Sequence, residues 1–199
     1  MKLLLTRFLS LLLIFSISSF KNPNFIITEK YQQGYYIGNT GKVEGYIYFS
    51  YDNYEKFSFK KELKDKRSLK RVGEITSFFV DGKTFKVINN LNLRIGIWNI
   101  SAQRAFAEVM VEGPVNLYKV YSRVGNGNMS NPGAIELINY IVEKDNKKYA
   151  YANEQTGKFK REAAELFKDR EDIVEKIKNG KYALKNILDL VNDYNSTKI

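Results

Sequence analysis

The 199 residues include no cysteine and no histidine, and only 3 prolines and 1 tryptophan. Without cysteine there are no disulfides, no thiolate nucleophiles and no cysteine-ligated metals. Without histidine the Ser-His-Asp and Cys-His arrangements are excluded, as are the usual zinc sites and the side chain best suited to proton transfer near neutral pH. Chemistry is left to Asp, Glu, Lys, Tyr, Ser or a borrowed cofactor, and no motif implies a cofactor or a metal. These absences argue against the common hydrolases, while enzymes that work with carboxylates alone, such as glycosidases, stay open.

Long hydrophobic runs are scarce too. The apolar stretch from Phe8 to Ile17 is about half of the ~20 residues that spanning a bilayer requires, and polar Lys21 and Asn22 follow it. Lys2 and Arg7 flank its start, and Ser16, Ser18 and Ser19 supply small residues for cleavage. Residues 1–19 therefore read as a secretory signal peptide, with no transmembrane span left after cleavage. The missing cysteine excludes a lipid-anchored lipoprotein, because that modification needs a thiol. An exported protein is expected, periplasmic, peripheral to the outer membrane or secreted.

What is abundant is positive charge. The chain has 32 basic and 22 acidic residues, a formal +10, which becomes +8 once Lys2 and Arg7 leave with the signal. Nucleic acid is the usual partner for such a balance, but export argues against it. Outside the cytoplasm the abundant polyanions are lipid head groups and acidic glycans, so the charge points to an envelope surface or to a partner protein there.

The chain organises around Phe106–Ser122, two runs rich in β-branched and aromatic residues, broken once at Glu112-Gly113-Pro114. Proline cannot donate a ladder bond and glycine suits a turn, so this predicts a central hairpin. Strand-like runs precede it. Tyr35–Ile37 and Val43–Tyr51 flank the turn residues Gly38–Gly41, and two alternating runs flank Asp81-Gly82, a strong two-residue hairpin signal. Leu91–Ile100 reads as a further strand, with Ser101–Arg104 as its link to the central hairpin. Arg123–Gly133 reads as a flexible loop, since its glycines lack the spacing of a phosphate-binding loop. Leu137–Glu143 and Tyr149–Tyr151, joined by Asp145-Asn146, predict a last hairpin.

From Phe159 the apolar period changes to that of a helix. Phe159, Ala163, Leu166 and Phe167 share one face, as do Ile173, Val174 and Ile177, and then Leu184, Ile187, Leu188, Val191 and Tyr194. Asn179-Gly180 is a helix stop. The expected class is α+β: an antiparallel β-sheet of consecutive hairpins packed against two or three C-terminal helices. The β region spans 20–158, its helical cover 159–195 and a short tail 196–199.

Two surface features are candidate sites. Between Lys60 and Arg71 stand seven basic residues, Lys60, Lys61, Lys64, Lys66, Arg67, Lys70 and Arg71, against Glu62 and Asp65. They read as an anion-binding patch, or as charge that keeps a sheet edge from pairing with another chain. Counting by two, Tyr46 and Tyr48 fall on one strand face, a stripe that suits glycan stacking or ordinary packing. Asn99, Asn128 and Asn195 are N-glycosylation acceptors in a eukaryotic setting.

Gly45–Phe49, Val80-Asp81-Gly82-Lys83 with Phe85, Glu112–Tyr118 and Leu190–Asn195 together resemble a group of uncharacterised secreted proteins of Bacteroidetes-type bacteria, over about Tyr35–Asn195. The resemblance implies export and the order of sheet then helices, and carries over no activity. Members of that group often have a cysteine near the penultimate helix and another at the C-terminus, where this chain has Lys168–Glu171 and Ser196.

The functional expectation is an exported, non-enzymatic, envelope-associated binding or structural protein. The alternative is a carboxylate-dependent hydrolase of an extracellular polymer, which needs two carboxyl groups roughly 5 to 10 Å apart in a cleft. Its candidates are Asp81, Glu108 and Glu112. An outer-membrane barrel is disfavoured by the terminal helices and the basic stretches.

Overall fold

Tight turns set the strand pairing. Asp81 and Gly82 both take left-handed backbone, with φ of 54° and 72°, as do Asp145 and Asn146, at 51° and 60°. Aspartate, asparagine and glycine tolerate this region, which two-residue hairpin turns demand. The computed structural model describes residues 30–50, 53–95, 98–124, 135–152 and 156–196.

The first five strands are β1 (Gln32–Gly38), β2 (Gly41–Tyr48), β3 (Lys56–Lys60), β4 (Ser68–Arg71) and β5 (Ile75–Val80). The next five are β6 (Lys83–Ile95), β7 (Trp98–Val111), β8 (Val115–Val124), β9 (Ile135–Lys144) and β10 (Lys147–Ala152). Helices α1 (Thr156–Leu166), α2 (Glu171–Lys178) and α3 (Ile187–Ser196) follow, the last entered through a 3₁₀ turn at Leu184–Asn186. The strands form one curled antiparallel sheet in the order β10-β9-β8-β7-β6-β5-β1-β2-β3-β4. The class is the α+β arrangement that the hairpin and helix patterns predict.

The central hairpin is β7–β8, reversing at Glu112–Pro114. Two expectations are corrected. Leu91–Ile100 is not one strand, because the chain reverses within it: Leu91–Ile95 ends β6, Trp98 opens β7, and Ile95 stands opposite Trp98. Ser101–Arg104 is part of β7 and not a link. The reversal falls between Ile95 and Trp98, and Asn90, whose φ is 57°, separately interrupts β6. Before it the residue facing one core is Ile88, and after it Leu91 and Leu93, so the buried parity switches; on β7 it switches likewise from Ala102 to Ala105 and Ala107. A period-two reading breaks there although the ladder continues from Asn89–Arg104 to Leu91–Ala102. Helix α1 also begins before Phe159, at Thr156. The expected leader and most of the expected loop after Val124 lie outside the described residues.

Three cores result. Phe57, Phe78, Phe85 and Phe106, from β3, β5, β6 and β7, fill one side of the sheet with Ile47 and Val80. Ile88, Leu91, Ala105, Val120 and Ile141 fill a second, where Ala150 of β10 packs as the sheet curls. The third lies beneath the helices, where Phe159, Phe167, Ile173, Ile177, Leu190 and Val191 bury Val115, Leu117, Val142 and Tyr151.

Polar contacts pin the helices to the sheet. Val115 N–H donates to Asn195 Oδ1 at 3.0 Å, and Asn195 Nδ2 donates to Val115 C=O at 2.8 Å. The amide thus satisfies the first ladder groups of β8 as a neighbouring strand would. Gly113 makes room for it, since a Cβ there would stand 2.7 Å from Asn195 Nδ2. The half-buried Asn195 amide is engaged, so a glycan on it would break both bonds. Lys144 reaches Asp145 at 2.9 Å and Asp169 at 3.1 Å, and Tyr194 OH also donates to Asp169. Lys176 pairs with Asp193 at 2.8 Å, and Tyr182 OH donates to the same carboxylate.

Replacing Asn195 with Ala orphans two backbone groups, so a loss of about 2–4 kcal/mol is expected, read by urea denaturation. Asn195→Asp, which keeps the shape but cannot donate to the carbonyl, should fall between that variant and the parent.

The carboxylates of the helical cover give a pH prediction. Hydrogen bonds from Lys176 and Tyr182 hold Asp193 below the usual aspartate value. Partial burial opposes the same shift at Asp169, and the bonds from Tyr194 and Lys144 outweigh it. With folded values below the ordinary 3.8, the unfolded chain binds more protons in that window. This stabilisation is complete above the ordinary value and is lost as pH falls through the depressed ones. Tm should hold from neutral pH down to about 5 and drop below about 4, and Asp193→Asn should flatten the acid limb.

Candidate functional site

Hydrogen bonding of β2 to β3 and of β3 to β4 decides which side chains meet. Tyr46 stands opposite Lys60, Tyr48 opposite Ser58, Ser58 opposite Leu69, and Lys56 opposite Arg71. Directly opposed residues share a face, so these project outward while Ile47, Phe57 and Phe59 point into the aromatic core. Tyr46 and Tyr48 are half-buried on that outer face, and the Tyr31 ring packs against Tyr48 with centroids 6.0 Å apart.

The pairing needs a residue without a side chain at Gly45. A Cβ there would lie 2.4 Å from the Lys60 carbonyl oxygen and 2.6 Å from the Phe59 ring. Phe59 covers the gap, and β3 approaches β2 closely because nothing projects between them.

The seven basic residues have different surroundings. Lys60 Nζ donates to Leu63 C=O at 3.2 Å and lies 4.7 Å over the Tyr31 ring. Lys61 donates to Glu44 C=O at 3.1 Å, and Lys64 pairs with Glu62 at 3.0 Å. Lys70 lies 5.2 Å over Tyr36, on the core side of the sheet. Lys66 and Arg71 are exposed. β4 is the edge of the sheet and only four residues long, so Lys70 and Arg71 also sit where charge keeps an edge from pairing with another chain.

Arg67 is placed differently. It lines a cleft of about 400 Å³ together with Tyr48, Ser50, Asn53, Lys56, Phe57, Ser58 and Leu69. One tyrosine and one arginine of the sequence-predicted sites therefore meet in a single concavity, joined by Lys56, Ser50, Asn53 and Ser58, which sequence reasoning missed. Lys56 precedes the basic run, and Ser58 is recognisable only once the register with Tyr48 is known. Among the described residues, the charged side chains lining this cleft are Lys56 and Arg67.

Two other concavities have mixed charge. One of about 510 Å³ runs between the chain before β3, the β4–β5 turn and β7, lined by Glu55 and Arg104 among others. A smaller one of about 190 Å³ lies beside the Asn90 interruption, lined by Lys148, Lys158 and Glu162. Near it Tyr151 is buried, and neither its hydroxyl nor Glu162 Oε2 completes a hydrogen bond. Burial first, and then the Glu162 charge, push that phenol above its ordinary value. Sequence reasoning also missed this pair, whose members lie on β10 and α1.

The carboxylate candidates are engaged elsewhere. Glu108 is buried on β7, accepts from Tyr121 OH and pairs with Lys83 at 3.3 Å. Glu112 pairs with Lys86, and Asp81 is exposed in its turn. None of the three lines the clefts described above. Among the described residues no group of three or more carboxylates gathers as a metal site would need, and no helix is long and apolar enough to cross a membrane.

No family model matches the chain, and neither a curated protein nor a solved structure matches it.

Gly45→Ala is expected to separate β2 from β3, because a backbone carbonyl and a packed ring must both move. A loss of about 1–3 kcal/mol should appear as a lower thermal midpoint.

Proposed function

We propose that this chain is an exported protein that works by binding and not by catalysis, held at the cell envelope through anionic groups of that surface. The observation that carries the reading is the cleft on the outer face of β2–β4, whose charged lining among the described residues is Lys56 and Arg67. Support comes from the signal-like N-terminus, from the net +8 of the expected mature chain, and from Glu108 and Glu112, which are occupied in ion pairs. Such a surface attracts anions over the Debye length, about 8 Å at physiological salt.

Fractionation of native cells tests it. The mature N-terminus, read by mass spectrometry, should fall near Ser19, and the envelope-bound protein should be released by washing with rising salt, since counterions screen such contacts. An uncleaved, salt-resistant protein would overturn the export reading. A cleaved protein that is soluble at every salt level would overturn the envelope-anion reading.

A further inference from the structure

The end of the sheet at β4 carries a conclusion that needs neither the cleft nor export. We propose that β4 takes up an extended acidic segment of a partner protein as an added antiparallel strand, with Leu69 and Arg71 supplying the backbone bonds.

Ladder geometry decides which backbone groups are on offer. Val72 N–H donates to Glu55 C=O at 3.0 Å, and Arg71 stands opposite Lys56, the next residue along β3. Bonded and non-bonded pairs alternate in an antiparallel ladder, so Lys70 turns its backbone groups toward β3 while Leu69 and Arg71 turn theirs to the open side. Arg71 C=O is taken by Glu74 N–H at 2.9 Å. The N–H and C=O of Leu69 and the N–H of Arg71 have no hydrogen-bond partner among the described residues. An incoming strand meets all three, which is the way sheet edges capture peptides.

The side chains decide what kind of strand fits. Lys56 and Arg71 are like charges directly opposed on the outer face, an arrangement that destabilises a sheet. Both are exposed, and among the described residues neither side chain has an ion-pair or hydrogen-bond partner. A carboxylate opposite Arg71 on the added strand stands on that same face and relieves the repulsion. From Lys56 to Arg71 there are eight basic and two acidic residues, and both acids are engaged in the turn: Glu62 pairs with Lys64 at 3.0 Å, and Asp65 accepts from Glu62 N–H at 2.8 Å. Apolar surface is available as well. Leu69 is 41% exposed on the outer face and Leu63, in the turn, 56%, so an apolar residue opposite Leu69 removes surface from water.

The edge therefore selects an acidic residue, any residue, then an apolar one, in N-to-C order. A second copy of β4 brings cations against cations. The charge that keeps this edge from self-pairing thus admits a strand of opposite sign.

The test is fluorescence anisotropy of a labelled Thr-Glu-Thr-Leu-Thr-Glu-Thr peptide titrated with the purified protein at physiological salt, beside one version with Lys for Glu and one N-methylated at the leucine. The acidic peptide should bind and the basic one should not. N-methylation keeps both charges but removes the donor to Leu69 C=O, so affinity should fall about tenfold or more. Leu69→Pro takes away the outward N–H without removing a bond to β3, and a similar loss is expected. Arg71→Gln should weaken binding about threefold or more, whereas Lys160→Gln, an equal loss of charge at an exposed position of α1, should change it less than about twofold. Thermal melts check that each variant folds, and the N-methylated peptide tests the ladder on the unaltered protein where Leu69→Pro does not fold.

Equal binding of the parent and N-methylated peptides would overturn strand addition and leave attraction of anions standing. Equal binding of the acidic and basic peptides would overturn the charge selection. No binding of the acidic peptide would overturn the strand site outright, while release from envelopes by salt is decided by the fractionation, so the two proposals fail independently.

Discussion

The curl of the sheet depends on one aromatic cluster. Phe78 and Phe85, opposite each other on β5 and β6, stack with centroids 4.6 Å apart, and Phe106 of β7 meets Phe78 edge-on at 5.0 Å. Phe57 closes the group from β3, 4.5 Å from Phe78. In strand order β3 is far from β7, yet the two touch through these rings, so the strands between them must bend over the cluster. Burying four large rings supplies a strong local driving force, because each removes on the order of 150–250 Å² of surface from water. It also fixes which face of β2–β4 is left outside, and that face holds Tyr48, Lys56 and Ser58.

The opposite end of the sheet is held by a different balance. The helices bury an apolar stripe each, but their attachment is specified by polar groups, above all Asn195, which completes the β8 ladder at Val115. Gly113 has no side chain, so the helix end can come this close. Lys144 and Lys176, together with Asp169, Asp193, Tyr182 and Tyr194, neutralise the charges between helix and helix or helix and sheet. The cleft lined by Tyr48, Lys56 and Arg67 lies on strands at the other end of the sheet from this network.

Much of the fold was legible because its turns are chemically explicit. Asp81-Gly82, Asp145-Asn146 and Glu112–Pro114 announce reversals that no tertiary contact is needed to predict, and the change of period after Tyr151 announces helices. Legibility failed at Asn90, where a left-handed residue inside a strand looks like a turn, and at the reversal between Ile95 and Trp98, which reads as continuous strand. The site was half legible. The basic run and the tyrosine stripe were visible as separate features, but that Arg67 of the run lines a cleft with Tyr48 was not.

The local chemistry of the chain, then, determined by itself the hairpins, the terminal helices, the surplus of cations and the absence of thiol and imidazole chemistry. These follow from backbone preference and side-chain type, which act over a few residues. Tertiary structure alone decided that β1 pairs with β5 as well as with β2, that Asn195 caps β8 from 80 residues away, and that Tyr48, Lys56 and Arg67 share one concavity. Each of these depends on register across strands that are not hairpin neighbours, or on an approach permitted by a missing side chain at Gly45 or Gly113. Register is chosen by the collective burial of the aromatic cluster and not by any residue at the site itself.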